Sequence, residues 1–405
     1  MELLPVTPPI PTAYATDDRV AMQQLARDFA MKEVLPVANE LDPVEGLIPD
    51  SLRQQMADMG FFGILVPEQY GGLGLGLFEY CLVTEELARA WMSVASIIAR
   101  GNGLGGGFTP EQREELLPKV ARGEWLGAFA LSEPDAGSDV ASIRCRAELD
   151  EAADEYVING QKMWCTFADQ ADFIVLIART TPYDPERRNA GIRNFYIPKE
   201  RGSFPPGISG NPIRKIGYHG WRTFELSFND FRLPAANLLG RERPEAATDD
   251  KAGFRNVTRG LSVARVHTAA RSIGLARGAL EDAVTYAQQR RQFDHPISDF
   301  QAIRFKIADM AAKVDACRAL MYQVAADADA GRAVDTQASM LKYLASEMAE
   351  RVTSEGLQIH GGAGYTTDFP VERYWRDARL TKIFEGTSEI QLRIISDRLL
   401  PRPPR

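Results

Sequence analysis

Apolar residues recur with two different periods along the chain and divide it into three regions. A proline-rich arm spans residues 1–16, and through residues 17–125 apolar positions return every three or four residues, which predicts helices. Between residues 126 and 245 the period falls to two, which predicts strands. From residue 246 to residue 405 three long alanine-rich helical patterns are joined by short linkers. We therefore predict an α+β fold with an N-terminal α-helical domain, a middle β-barrel or β-sandwich domain and a C-terminal α domain like a four-helix bundle.

Composition and charge argue against several classes of protein. The net charge of −8 argues against nucleic acid as the main partner, because phosphate binding needs a basic surface. No apolar run is long enough for a transmembrane helix, and no basic residues precede an apolar run at the N-terminus, so we expect neither a membrane span nor a signal peptide. The four cysteines form no C-x-x-C pair and the four histidines show no H-E-x-x-H spacing. We therefore expect a cytoplasmic protein without a structural or catalytic metal.

Two neighbouring motifs of the β region have the composition of a site for a polar heterocycle. The stretch LSEPDAGSDVASI, residues 131–143, brings hydroxyls, carboxylates and backbone N–H groups together, although an ordinary Asp-Gly turn is the commoner explanation of such a stretch taken alone. Trp164 and Thr166 stand two residues apart on a predicted strand and therefore face the same side. A tryptophan plane beside a hydroxyl suits a stacked ring, but a tryptophan of the hydrophobic core is the commoner case.

Two motifs of the C-terminal region lie at predicted helix ends. Arg290 and Arg291 close a long helix, where arginines often only complement the helix dipole but also suit a pyrophosphate. Gln358 lies shortly before Gly361 and Gly362, which are most economically explained as a helix C-cap. Neither motif decides a function by itself.

The stretch KIFEGTSEI, residues 382–390, places one carboxylate, Glu385, between a phenylalanine and a glycine. Considered alone, Glu385 is best explained as a surface acid at a turn. The alternative is a base held in an apolar slot beside Ile383 and Phe384, where burial would make a carboxylate a stronger base.

In their order along the chain, these motifs resemble the acyl-CoA dehydrogenase family over nearly the whole sequence. The matching stretches are PEQYGGLG, LSEPDAGSDV, INGQKMWCTFADQAD, RQFDHPISDFQAI, QIHGGAGY and VERYWRDARLTKIFEGTSEIQ. The resemblance implies a FAD-dependent enzyme that oxidises an acyl-CoA thioester to the trans-2-enoyl-CoA and passes electrons to electron-transfer flavoprotein. It also implies a homotetramer, a dimer of dimers, although the sequence does not distinguish this form from a dimer.

By this resemblance Glu385 is the catalytic base, which removes the α-proton while the β-hydrogen leaves as hydride to flavin N5. In the family the thioester oxygen accepts hydrogen bonds from the backbone N–H of the base and from a flavin hydroxyl, as in an oxyanion hole. Some branches carry the base immediately before the arginine of an LSVAR-like segment. Here that residue is Ala264, so we expect Glu385 alone to act as base.

The resemblance also implies the cofactor contacts. Those expected near the flavin or the pantetheine arm are Phe129, Leu131, Ser132, Gly137, Ser138, Trp164 and Thr166. Those expected to reach the pyrophosphate and adenine side from a neighbouring subunit are Arg290, Gln292, Phe293, Phe300, Gln301, Gln358, Gly361 and Gly362. Thr387 and Glu389 follow the base and are expected at the polar tail of the flavin. The residues expected to contact the substrate are Ser138, Leu261, Arg265, Phe384 and Gly386.

The acyl chain stays open at this stage. The helix ARAWMSVASIIARGNGLGGG is expected to line its far end, where Ala95 and Ala99 leave room and Trp91 could fill it. Arg100 could hold the terminal carboxylate of a dicarboxylyl-CoA, although such an arginine ordinarily extends to solvent. Two other functions remain open: an acyl-CoA oxidase-type enzyme that uses O2, and a non-catalytic subunit that stabilises FAD in a hetero-oligomer.

Overall fold

The computed structural model describes residues 5–102, 107–240 and 252–401, and within these it leaves the side chains of residues 252 and 255–259 undescribed. The N-terminal region is helical, and α1 begins at a Thr16 cap whose hydroxyl accepts from the N–H of Arg19 at 3.2 Å. The α-helices of this region are α1 (Asp17–Phe29), which runs through a π-helical turn into α2 (Leu35–Leu41), then α3 (Asp50–Asp58), α4 (Leu77–Ala90), α5 (Met92–Ile97) and α6 (Pro110–Ala121).

The middle region folds into a single seven-stranded mixed sheet. Its strands are β1 (Gly127–Ala130), β2 (Arg146–Asp150), β3 (Glu155–Thr166), β4 (Phe173–Arg179), β5 (Ile192–Pro198), β6 (Ile208–Ile213) and β7 (Thr223–Pro234). The order is β1-β4-β2-β3-β7-β6, with β5 paired to β4. Strand β1 runs parallel to β4, whereas the long β3–β7 pair is antiparallel. The ladder of that pair shifts register between Lys162 and Cys165, so β3 is distorted where Trp164 stands.

The C-terminal region is again helical and packs on α4. It consists of α7 (Ala252–Gln289), a hairpin of β8 (Arg291–Gln292) and β9 (His295–Pro296), α8 (Gln301–Asp329), α9 (Asp335–His360), α10 (Val371–Thr381) and α11 (Ser388–Leu399). Helix α7 packs against α4, α8, α9 and α10. The predicted order of α, β and α regions and the α+β fold class are confirmed.

A close helix–helix approach fixes the position of α7. A Cβ atom at Gly274 of α7 would lie 2.3 Å from the carbonyl oxygen of Glu85 on α4, so only glycine lets the two backbones come this near. The preceding turns of α7, with Thr268 and Arg271, are thereby held beside α5. Every described helix is too short or too polar to span a lipid bilayer. Nowhere in the described ranges do three or more histidine, cysteine, aspartate or glutamate side chains gather as a metal site.

Candidate active site

Glu385 lies in the connection between α10 and α11 and has an unusual backbone. Its φ of 53° is in the left-handed region, and Gly386 follows with a φ of 91°. A glutamate rarely adopts this conformation, and such outliers concentrate at functional sites. The side chain of Glu385 is 30% exposed. The carboxylate is therefore neither a freely solvated surface group nor a fully buried one.

The carboxylate of Glu385 is held by two polar side chains of α7. Arg271 Nη2 donates to Glu385 Oε1 at 2.8 Å, and the hydroxyl of Thr268 donates to Oε2. Arg271 Nη2 also donates to Thr268 Oγ1 at 2.9 Å. The expected apolar slot is therefore wrong, because the neighbouring Phe384 ring supplies one apolar wall but an arginine and a threonine supply the contacts of the charge.

These contacts bring Glu385 to the part of α7 where other branches of the family are expected to carry the base. The Thr268 hydroxyl also lies 2.9 Å from the carbonyl oxygen of Ala264, one helical turn earlier. A hydroxyl has one proton, so it donates either to that carbonyl or to Glu385. Ala264 has no acidic side chain. The carboxylate that lies beside this part of α7 is that of Glu385, from the connection between α10 and α11.

The turn that carries Glu385 is fixed from both sides. The carbonyl oxygen of Gly386 accepts from Lys342 Nζ of α9 at 2.7 Å and from Gln391 Nε2 of α11 at 2.9 Å. Burial lowers the pKa of Lys342 to about 8. Thr387 caps α11 by accepting from a backbone N–H, and Glu389 is exposed in the first turn, where a backbone N–H and the Thr387 hydroxyl lower its pKa. Contact of either residue with FAD stays a prediction.

The backbone N–H of Glu385 is free for a ligand. It makes no hydrogen bond with any residue that the structure describes, although the neighbouring N–H groups of Phe384 and Ser388 donate to the carbonyls of Leu380 and Lys382. A free N–H beside a carboxylate is the arrangement expected for a thioester whose oxygen binds the N–H while its α-carbon faces the base.

The residues expected at the flavin gather around the distorted part of β3. Trp164 has a φ of 63° and is 58% exposed, so it does not belong to the core. Its neighbour Met163 donates its N–H to the carbonyl of Ser132 at 2.8 Å. The buried Lys162 ammonium donates to the carbonyl of Leu131 at 2.9 Å and to Glu133, which holds the 131–138 loop against the strand.

The surface around Trp164 fits a flavin. Phe129 is 39% exposed at the end of β1, and Gly137 and Ser138 are exposed on the adjoining loop. A large exposed aromatic plane beside a loop with free hydroxyl groups suits a ring system that is apolar on its face and polar at its edge. Thr166 is half-buried and lies two positions further along β3.

A series of hydrogen bonds begins at Thr166 and leaves the sheet. Its hydroxyl lies 2.9 Å from that of Thr223 on β7, which accepts from Lys215 Nζ at 3.1 Å. Lys215 also donates to the carbonyl of Tyr218 at 2.9 Å. Burial lowers the pKa of Lys215 to about 8. The β6–β7 connection therefore ties the flavin side of β3 to Tyr218, which has a φ of 57°.

The same series then reaches Glu385. The Tyr218 hydroxyl shares a short hydrogen bond with Ser96 on α5, and Arg271 Nη1 donates to Ser96 Oγ at 3.0 Å. Arg271 in turn holds Glu385. The structure thus connects Thr166 and Glu385, which are 219 residues apart in the numbering of the chain, through side chains of both the sheet and the helices.

The residues expected at the adenine side form a separate surface at the ends of α7 and α9. Tyr286, one turn before Arg290, stacks on His360 with ring centroids 4.3 Å apart, which brings the two helix ends together. Phe293 is 85% exposed at the β8–β9 turn, where Phe300 contacts its ring edge. The remaining exposed members are Arg290, Gln292, Gln301, Gln358, Gly361 and Gly362. A surface of this kind suits contact with a cofactor held mainly by a neighbouring chain.

The residues expected at the substrate lie in different surroundings. Arg265 is buried, its Nε has no hydrogen-bond partner among the described residues, and burial lowers its pKa. Leu261 is half-buried. Phe384 packs under the Arg271 guanidinium at 4.7 Å from the ring centre and meets the ring of Tyr218 edge-on. Arg100 is half-buried, and no described residue forms a hydrogen bond or ion pair with it.

Sequence reasoning missed four side chains of this site: Ser96, Tyr218, Thr268 and Arg271. For Ser96, Thr268 and Arg271 the signal is a polar residue within an otherwise apolar or alanine-rich helix, whereas Tyr218 lies in the β6–β7 connection, where no such pattern exists. Thr268 and Arg271 stand three positions apart on α7, among residues that are nearly all buried, and therefore share one face. The same neighbourhood contains His267, whose pKa burial lowers well below its usual value and whose ring stacks on Tyr80.

Known proteins match the chain throughout its length. Family models described as the acyl-CoA dehydrogenase N-terminal, middle and C-terminal domains match residues 16–124, 128–231 and 251–400. An acyl-CoA dehydrogenase of Bacillus subtilis is 39% identical over 393 residues, which cover 96% of this chain and 99% of that protein. The caffeyl-CoA reductase-Etf complex subunit CarC of Acetobacterium woodii is 38% identical over 398 residues, 96% of this chain and 100% of that protein. The solved butyryl-CoA dehydrogenase of Megasphaera elsdenii aligns with a TM-score of 0.86 and 34% identity, over 95% of this chain and 98% of that chain.

Proposed function

Because the chain belongs to the acyl-CoA dehydrogenase family of FAD-dependent oxidoreductases, we propose that it oxidises an acyl-CoA thioester to its trans-2-enoyl-CoA with Glu385 as the base. The observation that carries the proposal is the Glu385 carboxylate, partly exposed and oriented by Arg271 and Thr268 on a left-handed backbone. A base needs reach to the substrate and a defined starting position. The partial exposure of the side chain provides the first, and the contacts with Arg271 and Thr268 provide the second.

In this reaction the chain's own residues bind and deprotonate the substrate. The free N–H of Glu385 donates to the thioester oxygen and stabilises the charge that develops there as the α-proton leaves. The carboxylate of Glu385 takes that proton, and Arg271 and Thr268 fix its position before the substrate binds. When the reaction runs in reverse, the same carboxylate returns the proton. One acid therefore serves both directions, which matters because the related caffeyl-CoA subunit is named as a reductase.

FAD supplies the acceptor for the hydride that leaves the β-carbon. Trp164, Thr166 and the 131–138 loop would hold the flavin, and the exposed ends of α7 and α9 would contact FAD of a neighbouring chain. This arrangement supports an oligomer in which neighbouring chains share the FAD sites, and the form we propose is a homotetramer built as a dimer of dimers. The hydrogen bonds from Thr166 to Arg271 would keep the flavin side of the sheet at a constant distance from the base.

Electron-transfer flavoprotein is the proposed electron partner. A relative that matches along its whole length is named as part of a complex with Etf, which supports a partner of this kind. Acyl-CoA oxidase activity is the alternative, and rapid reoxidation of the reduced enzyme by air in the absence of the flavoprotein would favour it. The four cysteines are all buried and unpaired, which supports a reducing compartment such as the cytoplasm.

A Glu385→Gln variant tests the proposed base. We expect it to retain FAD but to lower the rate of acyl-CoA-driven flavin bleaching by roughly 100-fold or more, because general base catalysis contributes about 10²- to 10⁴-fold. The measurement is anaerobic stopped-flow absorbance, with Glu148→Gln on the exposed part of β2 as control. Unchanged bleaching in Glu385→Gln would refute the assignment. If the FAD-loaded wild-type protein is bleached by none of the acyl-CoAs, the result would instead favour the non-catalytic subunit.

A further inference from the structure

Arg271 is a buried cation whose only acidic partner among the described residues is partly exposed. Its side chain is 1% exposed, and of the described carboxylates only Glu385 pairs with it, at 2.8 Å. Its Nη1 and Nη2 bind hydroxyls of Ser96 and Thr268, and its Nε has no partner among the described residues. A buried guanidinium without an anion is unstable by several kcal/mol, so Arg271 needs a negative charge in every state of the enzyme.

The proposed reaction removes that charge from Arg271. When Glu385 takes the α-proton, its carboxylate becomes neutral, and when it turns toward the substrate, its contact with Nη2 is lost. The remaining neighbours of Arg271 are the hydroxyls of Ser96 and Thr268 and the Phe384 ring, and none of them is an anion. His267 is held neutral by burial and adds none. The site thus contains an arginine that would be left without a counter-ion in the working enzyme.

Resting on the proposed function, we infer that Arg271 binds a carboxylate at the far end of the acyl chain, so that the substrate is a short dicarboxylyl-CoA. The guanidinium fork matches a carboxylate in a bidentate pair, and the unpartnered Nε beside Nη2 offers two donors for it. On binding, the substrate carboxylate replaces Glu385 as the partner of Arg271. Glu385 is thereby released toward the α-carbon, and the buried cation keeps its counter-ion throughout turnover.

The length of the acyl chain follows from the distance between the two groups. Arg271 holds the base itself, so a carboxylate on Arg271 lies within a few ångströms of the α-carbon that Glu385 deprotonates. Only one or two carbons beyond the reacting pair fit between these groups. The site therefore favours succinyl- and glutaryl-CoA over adipyl- and suberyl-CoA. The sequence offered Arg100 as a candidate for the carboxylate, but Arg100 lies in the 3-10 turn after α5 and pairs with no described residue.

The first test compares substrates that differ only at the far end. We expect wild-type kcat/KM to be higher for glutaryl-CoA than for pentanoyl-CoA and for succinyl-CoA than for butyryl-CoA. In Arg271→Gln this preference falls by roughly 10- to 100-fold, the worth of a charge-assisted hydrogen bond, and Arg271→Lys retains part of it. Arg122→Gln, which removes one charge from an exposed ion pair with Glu124, is the control. An unchanged preference in Arg271→Gln, or a larger fall in Arg100→Gln, would overturn the assignment to Arg271.

The second test needs no turnover and separates this inference from the proposed function. Glu385→Gln removes the internal anion that competes for Arg271, so it should bind glutaryl-CoA at least about 10-fold more tightly than wild type and pentanoyl-CoA equally. Binding is followed by the change in flavin absorbance. If Glu385→Gln bound glutaryl-CoA and pentanoyl-CoA more tightly by the same factor, the proposal that a substrate carboxylate replaces Glu385 on Arg271 would be refuted. If Glu385→Gln still bleaches while glutaryl-CoA binding tightens, the base assignment fails and the Arg271 site stands.

Discussion

Two arginines of α7 are equally buried, yet their surroundings differ. Arg277 is 1% exposed and donates to Glu85 and Glu86 of α4, which are themselves 0% and 2% exposed. Arg271, six residues earlier, is also 1% exposed, but Glu385, the one acid that pairs with it among the described residues, is 30% exposed. The first arginine binds buried partners, and it holds α4 to α7. The second binds a partner that solvent, and in the proposed reaction a substrate, can reach. Burial of a charge therefore does not distinguish structure from function, whereas the exposure of its counter-ion does.

The largest expected effect is the loss of Arg277. Arg277→Met leaves two buried glutamates with too few donors, which should lower the free energy of unfolding by about 3–5 kcal/mol. Arg271→Met should lower the free energy of unfolding by clearly less, because water can solvate the partly exposed Glu385 in place of Arg271. Denaturant unfolding of both FAD-loaded variants measures the difference. Equal losses of stability would break the distinction between the two arginines.

A third buried cation, Lys342, sharpens the comparison because the partner at its ammonium is a backbone carbonyl. Its pKa is about 8 in the folded chain, against the ordinary lysine value of 10.5, so between these pH values the unfolded chain binds more protons. The contribution of Lys342 to the free energy of unfolding is therefore lowest below pH 8 and rises as the pH increases toward 10.5. Relative to Lys342→Met, wild type should gain roughly 3 kcal/mol across this window.

Unfolding curves of wild type and Lys342→Met at several pH values between about 7 and about 10.5 test the pH dependence. Lys215, whose pKa is also about 8, is present in both proteins and cancels in the difference. A difference that does not change with pH would mean that Lys342 keeps its proton in the folded chain.

The smallest expected effect is that of replacing Thr268, whose hydroxyl makes one hydrogen bond to the Glu385 carboxylate. Thr268→Val keeps the shape of the side chain and removes that donor, so kcat/KM should fall about 10-fold. Thr285→Val is a matched control, because the Thr285 hydroxyl makes the same bond to a carbonyl one turn earlier on α7 but lies on the surface. If both variants lose the same activity, the hydroxyl of Thr268 does not position the base.

Glu385, the proposed base, stands out in the sequence, but its partners do not. Glu385 stands in a distinctive stretch, and the two hydrophobic periods suffice for the order of the helical and strand regions. Thr268 and Arg271 are separated from Glu385 by 117 and 114 positions, and only the packing of α7 beside the 382–388 turn brings them together. The expected apolar slot was wrong for this reason.

Trp164 shows the same limit on the strand side. Alternation alone favours a core tryptophan, but a register shift in the β3–β7 ladder and a left-handed backbone turn this residue outward. The pairing of β1 with β4 in parallel is likewise a contact between distant segments. No local pattern predicts it, because strand partners are chosen by the packing of the whole sheet.

The contact at Gly274 also bears on how natural variants of this chain should be interpreted. An exchange of glycine for alanine usually counts as mild, and in most helices it is stabilising. At this position the added methyl carbon would meet the Glu85 carbonyl and Ala88, so α7 would have to retreat from α4 and carry Arg271 and Thr268 with it. Gly274 lies in the contact between α7 and α4, yet its replacement by alanine would shift two residues of the candidate site. A substitution that is mild in most helices is therefore expected to be disruptive at this position.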